Sequence, residues 1–174
     1  MAQVRAGLDV LVSRLSGLIK GRRVGLLCHQ ASVTRDLTHA VDAIRALPGV
    51  TLAALFAPEH GIAGTAQDLI HVASTRDRAT GLTVWSLYGR RLAPTPEMLR
   101  GLDVLVVDLQ DVGSRYYTFV WTMALAMQAC ARADLPWWCS TGRIRSAASR
   151  WTAMSPIPPT RRSSASIRWR CATA

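Results

Sequence analysis

At 174 residues the chain has room for one domain of ordinary size, and its formal net charge is +10. A pI near 10.9 would suit a nucleic-acid partner, but the charge is unevenly placed. Residues 137–174 hold seven Arg and no Asp or Glu, whereas residues 1–136 hold 14 Lys and Arg against 11 Asp and Glu. Nucleic acid is therefore not an expected partner. Lys occurs once, at Lys20, against 20 Arg, which is the bias of a GC-rich genome more than of a function. Cys28, Cys130, Cys139 and Cys171 show no C-x-x-C spacing, so neither a metal site nor a disulfide framework is expected. The N-terminus carries Arg5, Asp9 and Arg14 and no long apolar run, unlike a signal peptide. No stretch approaches the roughly 20 apolar residues of a membrane span. As written, the chain reads as soluble and cytoplasmic.

In chain order, Val4, Leu8, Leu11, Leu15 and Leu18 recur at three- and four-residue steps and predict an amphipathic helix over 4–18, with Gly21 as a stop signal. Val24 to Cys28 is a short apolar run, read as a buried strand. Ala40 to Leu47 is helical and ends at Pro48-Gly49. Val50 to Phe56 and Leu82 to Leu87 are further strands, and Thr95 to Leu99 a short helix with Pro96 in its first turn. Val104 to Val107 is the clearest strand, closed by Asp108. Thr118 to Ala133 is a long apolar helix, and Leu135-Pro136 opens another strand. Apolar strands alternating with helices predict an α/β fold, a Rossmann-like three-layer domain with a mostly parallel sheet. No G-x-G-x-x-G or G-x-x-x-x-G-K-[ST] follows any strand, so dinucleotide and P-loop readings lack their fingerprints and no cofactor is expected.

The composition breaks at Trp137. From there to Ala174 the chain has no Leu, Val, Asp, Glu or Lys, but seven Ser and four of its six Trp. Without apolar periodicity no fold is expected. The division is thus an incomplete domain over 1–136 and a disordered tail over 137–174. A sheet lacking its later strands would leave Val104–Val107 and the helix 118–133 partly uncovered, and the domain marginally stable.

Ligands of such sheets sit beyond the carboxyl ends of the strands. Three loops there carry chemistry: Cys28 to Val33, Ala57 to Ile62, and Asp108 to Thr118. Together they offer Glu59, His60, Asp108, Gln110, Asp111, Arg115, Tyr116 and Tyr117. A carboxyl group against an apolar wall has its pKa raised and can act as a general acid. Glu59, just after Leu55-Phe56, fits that description. Glycoside hydrolysis needs a second carboxyl group, for which Asp108 or Asp111 qualifies. Arg115 can bind a carboxylate or phosphate in bidentate fashion, and tyrosines offer stacking and hydroxyl contacts. Blander roles compete: Asp108 as a turn residue, Arg115 paired with Asp108 or Asp111, the loop glycines as turn formers, Met123 and Met127 as core. Trp85 and Tyr88 are equally suited to packing. His29, His39, His60 and His71 lack the spacing of metal ligands.

Several blocks resemble a known family. FAPEHGIAG (56–64), TGLTVWSLYG (80–89), PTPEML (94–99) and DVLVVDLQDVGSRYYTF (103–119) look like successive blocks of the NamZ-type exo-β-N-acetylmuramidases. VGLLCHQASV (24–33) looks like the first block, usually VGL-x-T-N-Q-T-G-V. The resemblance covers roughly residues 20–136. It implies a Rossmann-like N-terminal domain joined to a smaller one, with the cleft between them. The implied activity is release of terminal N-acetylmuramic acid from peptidoglycan fragments, as in cell-wall turnover and recycling. The family's proposed catalytic Glu maps to Glu59, and Asp111 is taken as the second catalytic carboxyl. His29, Gln30, His60, Gln110, Arg115 and Tyr117 are the implied substrate contacts, Arg115 facing the lactyl carboxylate. His29 stands where the family has Asn. The alternative reading is a non-catalytic sugar- or nucleotide-binding α/β module.

After Leu135-Pro136 the family continues with a strand and D-R-P-N-P-x-G-G. With suitable synonymous codons, reading residues 137–148 two bases onward gives V-V-L-D-R-P-N-P-I-G-G. The tail is therefore expected to be a shifted reading frame starting near codons 136–137. Without the second wall of the cleft, little activity is expected of the chain as written.

Overall fold

A computed structural model describes residues 5–14, 16–64, 75–111 and 117–140. Its centre is a six-stranded sheet in the order β3-β4-β2-β1-β5-β6. The strands are β1 (Arg23–Cys28), β2 (Thr51–Ala57), β3 (Thr75–Arg76), β4 (Thr83–Ser86), β5 (Val104–Asp108) and β6 (Trp137–Cys139). β4, β2, β1, β5 and β6 run parallel, and only β3 pairs antiparallel, with β4. The expected mostly parallel α/β architecture is therefore present.

The helices are α1 (Gly7–Arg14), α2 (Ala40–Arg45), α3 (Pro96–Leu99) and α4 (Phe119–Arg132). α1 is shorter than the 4–18 periodicity predicts. It gives way to a 3₁₀ turn over Ser16–Leu18, where Ser16-Gly17 is a poor helix-forming pair. Val4 and Leu15 lie outside the described residues.

Alternation along each strand feeds two cores. Val24, Leu26 and Cys28 of β1 and Val104 and Val106 of β5 pack with Leu8, Leu11, Ala40 and Ile44 of α1 and α2. Leu27, Phe56, Leu105 and Val107 pack on the other face with Met98, Leu99, Phe119 and Ala126 of α3 and α4. Strands buried on both faces have to be apolar at every position, which is why they read as unbroken runs.

Two expectations are corrected at the sheet's far side. The strand opening at Leu135-Pro136 continues through Trp137, Trp138 and Cys139, which pair with Leu105, Val106 and Val107. The first residues past the composition break thus belong to the sheet. Because β6 covers the flank of β5, Val104–Val107 are completely buried, not partly uncovered. On α4, Val120 and Trp121 are exposed. The disorder and shifted-frame expectations fall on residues 137–174, of which 141–174 lie outside the described residues. No helix among the described residues is long and apolar enough to cross a membrane.

Candidate active site

β1, β2 and β5 are parallel neighbours, so their carboxyl-terminal loops open on one edge of the sheet. The loops singled out from the sequence meet there, joined by three contacts. Gln30, after β1, lies over Gly64, after β2: a Cβ on Gly64 would stand 2.6 Å from Gln30 Cδ. His29 joins the first loop to the third, its Nε2 accepting the Gln110 N–H at 3.1 Å. Glu59 joins the second loop to the head of α4, its Oε2 accepting the Thr118 hydroxyl at 2.8 Å.

The chain leaves β1 toward β2 and β4 on one side and returns as β5 and β6 on the other. The β1–β5 boundary is thus the topological switch point, where open α/β sheets usually bind ligands. Here it is filled. His29 is 1% exposed, and Phe119 meets its ring edge-on at a centroid distance of 4.8 Å. Ser32, wholly buried, donates its hydroxyl to the Asp108 carbonyl and accepts the His29 N–H at 3.1 Å. Nε2 also lies 3.4 Å from the Gln110 carbonyl, while Nδ1 accepts the Ala31 N–H at 3.2 Å and has Ser32 Oγ 3.2 Å away. Burial lowers the His29 pKa below the ordinary histidine range, which keeps the ring neutral. This burial withdraws the His29 side chain from solvent. The ring clamps the β1 loop to the β5 loop.

Asp108 is also withdrawn from solvent. Its Oδ1 accepts the Ser140 hydroxyl at 3.0 Å, and Oδ2 is buried with no hydrogen-bond partner. Burial pushes its pKa up to about 7, against the opposing hydrogen bond from Ser140. Of the two Asp candidates for a second carboxyl, only Asp111 is within reach of solvent, half-buried beside the half-buried Gln110.

Glu59 and His60 are half-buried, on a turn closed by the Gly61 N–H to the Pro58 carbonyl at 3.1 Å. His60 has φ 70°, followed by Gly61 at 76°. A non-glycine residue in that region costs on the order of 1 kcal/mol, so the surrounding contacts hold this turn in place. Gln30 is exposed. Tyr117 is 36% exposed and lies tilted on Phe119 at 5.6 Å. Arg115 and Tyr116 lie outside the described residues.

Sequence reasoning missed Thr118, Ser32 and Ser140. Thr118 stands at the start of α4 and reads as an ordinary cap, while the serines carry no motif. Among the described residues no three His, Cys, Asp or Glu side chains converge as metal ligands would. A cavity of about 710 Å³ lies elsewhere, between α1, the segment 34–38 and α2, and none of the candidate residues lines it.

Comparison with known proteins gives this edge of the sheet a lineage. Residues 24–139 match the family described as exo-β-N-acetylmuramidase NamZ, N-terminal. The peptidoglycan β-N-acetylmuramidase NamZ of Bacillus subtilis is 44% identical over 134 residues, 77% of this chain and 32% of that protein. A DUF1343 family protein of Bacteroides fragilis superimposes with a TM-score of 0.70 at 38% identity, over 78% of this chain and 34% of its own. A second from the same organism gives 0.62 at 26% identity, over 80% and 35%. The chain thus spans about a third of the length of these relatives. With this match in sequence and overall fold, the chain belongs to the NamZ family, as a representative of that family's N-terminal part.

Proposed function

We propose that the chain forms the catalytic wall of a glycosidase that releases terminal N-acetylmuramic acid from the non-reducing ends of peptidoglycan fragments. The observation that carries this reading is the setting of Glu59. It follows the apolar strand β2 at the carboxyl edge of the sheet, with one carboxyl oxygen held by Thr118. In the reaction, protonated Glu59 gives its proton to the glycosidic oxygen as the C1–O bond breaks, and the bonding electron pair leaves with that oxygen. Water adds its oxygen to C1 and gives up a proton to a carboxylate of the site, which leaves the sugar with a free hydroxyl. Asp111 is the second carboxyl group that this chemistry needs. Gln30, His60, Gln110 and Tyr117 contact the sugar, and Arg115 pairs with the lactyl carboxylate. The chain supplies one side of the cleft, so its own turnover is expected to be slow.

The test is prolonged incubation with a disaccharide bearing N-acetylmuramic acid at its non-reducing end, with quantification of the free sugar. The expected result is slow release that falls by about 100-fold or more in Glu59→Gln, the contribution of a general acid. Equal release by the variant overturns the reading. Binding without release, unaffected by Glu59→Gln, would describe a non-catalytic sugar-binding module.

A further inference from the structure

We infer that Thr118 is a positioning residue for Glu59, fixing Oε2 so that Oε1 is the oxygen that carries and delivers the proton. The inference rests on the reading of Glu59 as the general acid.

Thr at a helix N-cap ordinarily spends its hydroxyl on a backbone N–H of the first turn, at a gain of about 1 kcal/mol. Thr118 is the N-cap of α4, yet its side chain makes no capping bond. The hydroxyl instead donates to Glu59 Oε2 at 2.8 Å, across 59 residues of sequence. The helix forgoes a local stabilisation, and the hydroxyl points at the Glu59 carboxyl group.

Thr118 is itself held in place. The next residue, Phe119, is 6% exposed and wedged between His29 and Tyr117. The Thr118 carbonyl accepts the Thr122 N–H at 2.9 Å and the Thr122 hydroxyl at 3.1 Å. His29 is fixed to Gln110 and Ser32. The buried clamp at the switch point thus sets where α4 begins, and the start of α4 sets where Glu59 points.

A hydroxyl that donates to Oε2 takes one of that oxygen's two lone pairs and favours the carboxyl proton on Oε1. When Oε1–H protonates the glycosidic oxygen, the carboxylate formed is stabilised at Oε2 by the bond already in place. No reorganisation is needed at that moment.

The chain has only two Glu, Glu59 and Glu97. Protein labelled with ¹³C at the Glu side-chain carboxyl therefore shows two carboxyl resonances, and Glu59→Gln identifies which is Glu59. Thr118→Val removes the hydroxyl at near-constant volume, and Thr118→Ser keeps it. At constant pH, Thr118→Val is expected to move the Glu59 resonance and leave Glu97 in place, with Thr118→Ser close to wild type. Any residual release of N-acetylmuramic acid should fall about 10- to 100-fold in kcat in Thr118→Val with KM unchanged, the scale expected of a misplaced catalytic group. Thr118→Ser should restore it. A Glu59 resonance unmoved by Thr118→Val, in a variant that unfolds at the wild-type temperature, overturns the inference, as does a loss confined to KM. If the resonance moves but Glu59→Gln releases sugar as fast as wild type, the positioning stands and the reading of Glu59 as general acid falls.

Discussion

Asp108 ends a strand of five buried residues, and its carboxyl group is buried with it. Lost solvation raises its pKa to about 7, only partly opposed by the Ser140 hydrogen bond. From about pH 4 to 7 the folded chain therefore holds a proton that the unfolded chain has released, and stability falls as pH rises through that window. His29 acts with the opposite sign. Its lowered pKa keeps it neutral when folded, so stability is lost as pH falls below the ordinary histidine range. Asp108→Asn keeps the shape and removes only the carboxyl titration, so the difference in Tm between variant and wild type isolates Asp108. That difference is expected to grow in the variant's favour from pH 5 to pH 8. A difference constant across this range would show that Asp108 is ionised in the folded state throughout.

Phe119 carries the corresponding weight at the level of elements. Its ring joins the core under α4 to the clamp at His29, so it couples helix, β1 loop and β5 loop. Phe119→Ala is expected to destabilise the fold by about 3–5 kcal/mol in urea denaturation, the usual cost of removing a buried aromatic ring. A loss below about 1 kcal/mol would mean that the helix start is held by its backbone alone. Elements of this kind were legible in the sequence to the extent that burial left a pattern. β1, β2 and β5 stand out because both their faces are buried. Thr75–Arg76 of β3 is too short, exposed and polar to leave any pattern. The end of α1 was misread because the leucine spacing continues past Ser16-Gly17, where the backbone tightens into a 3₁₀ turn.

Across the whole molecule, the site was legible as three loops and no further. Polar residues following apolar strands mark one edge of a parallel sheet, and Glu59, His60, Gln110 and Asp111 could be assigned to it without coordinates. Which of them are open to a ligand could not, since exposure depends on partners distant in sequence. His29 and Asp108 are buried by hydroxyls from Ser32 and Ser140, and Thr118 reaches Glu59 from the far end of the third loop. The composition break at Trp137 likewise hides a strand, because Trp137–Cys139 takes its place by pairing with β5 and not by any periodicity of its own. Two places for the sugar are to be told apart: the sheet edge at Glu59, where the proposed function puts it, and the cavity of about 710 Å³ between α1 and α2. The measurement that separates them is a crystal structure of the Glu59→Gln chain soaked with a disaccharide ending in N-acetylmuramic acid. The sugar is expected beside residue 59, within contact of Gln30 and Asp111, its glycosidic oxygen facing the Oε1 side of the carboxamide. A sugar seated between α1 and α2, with the edge at residue 59 empty, would contradict the account.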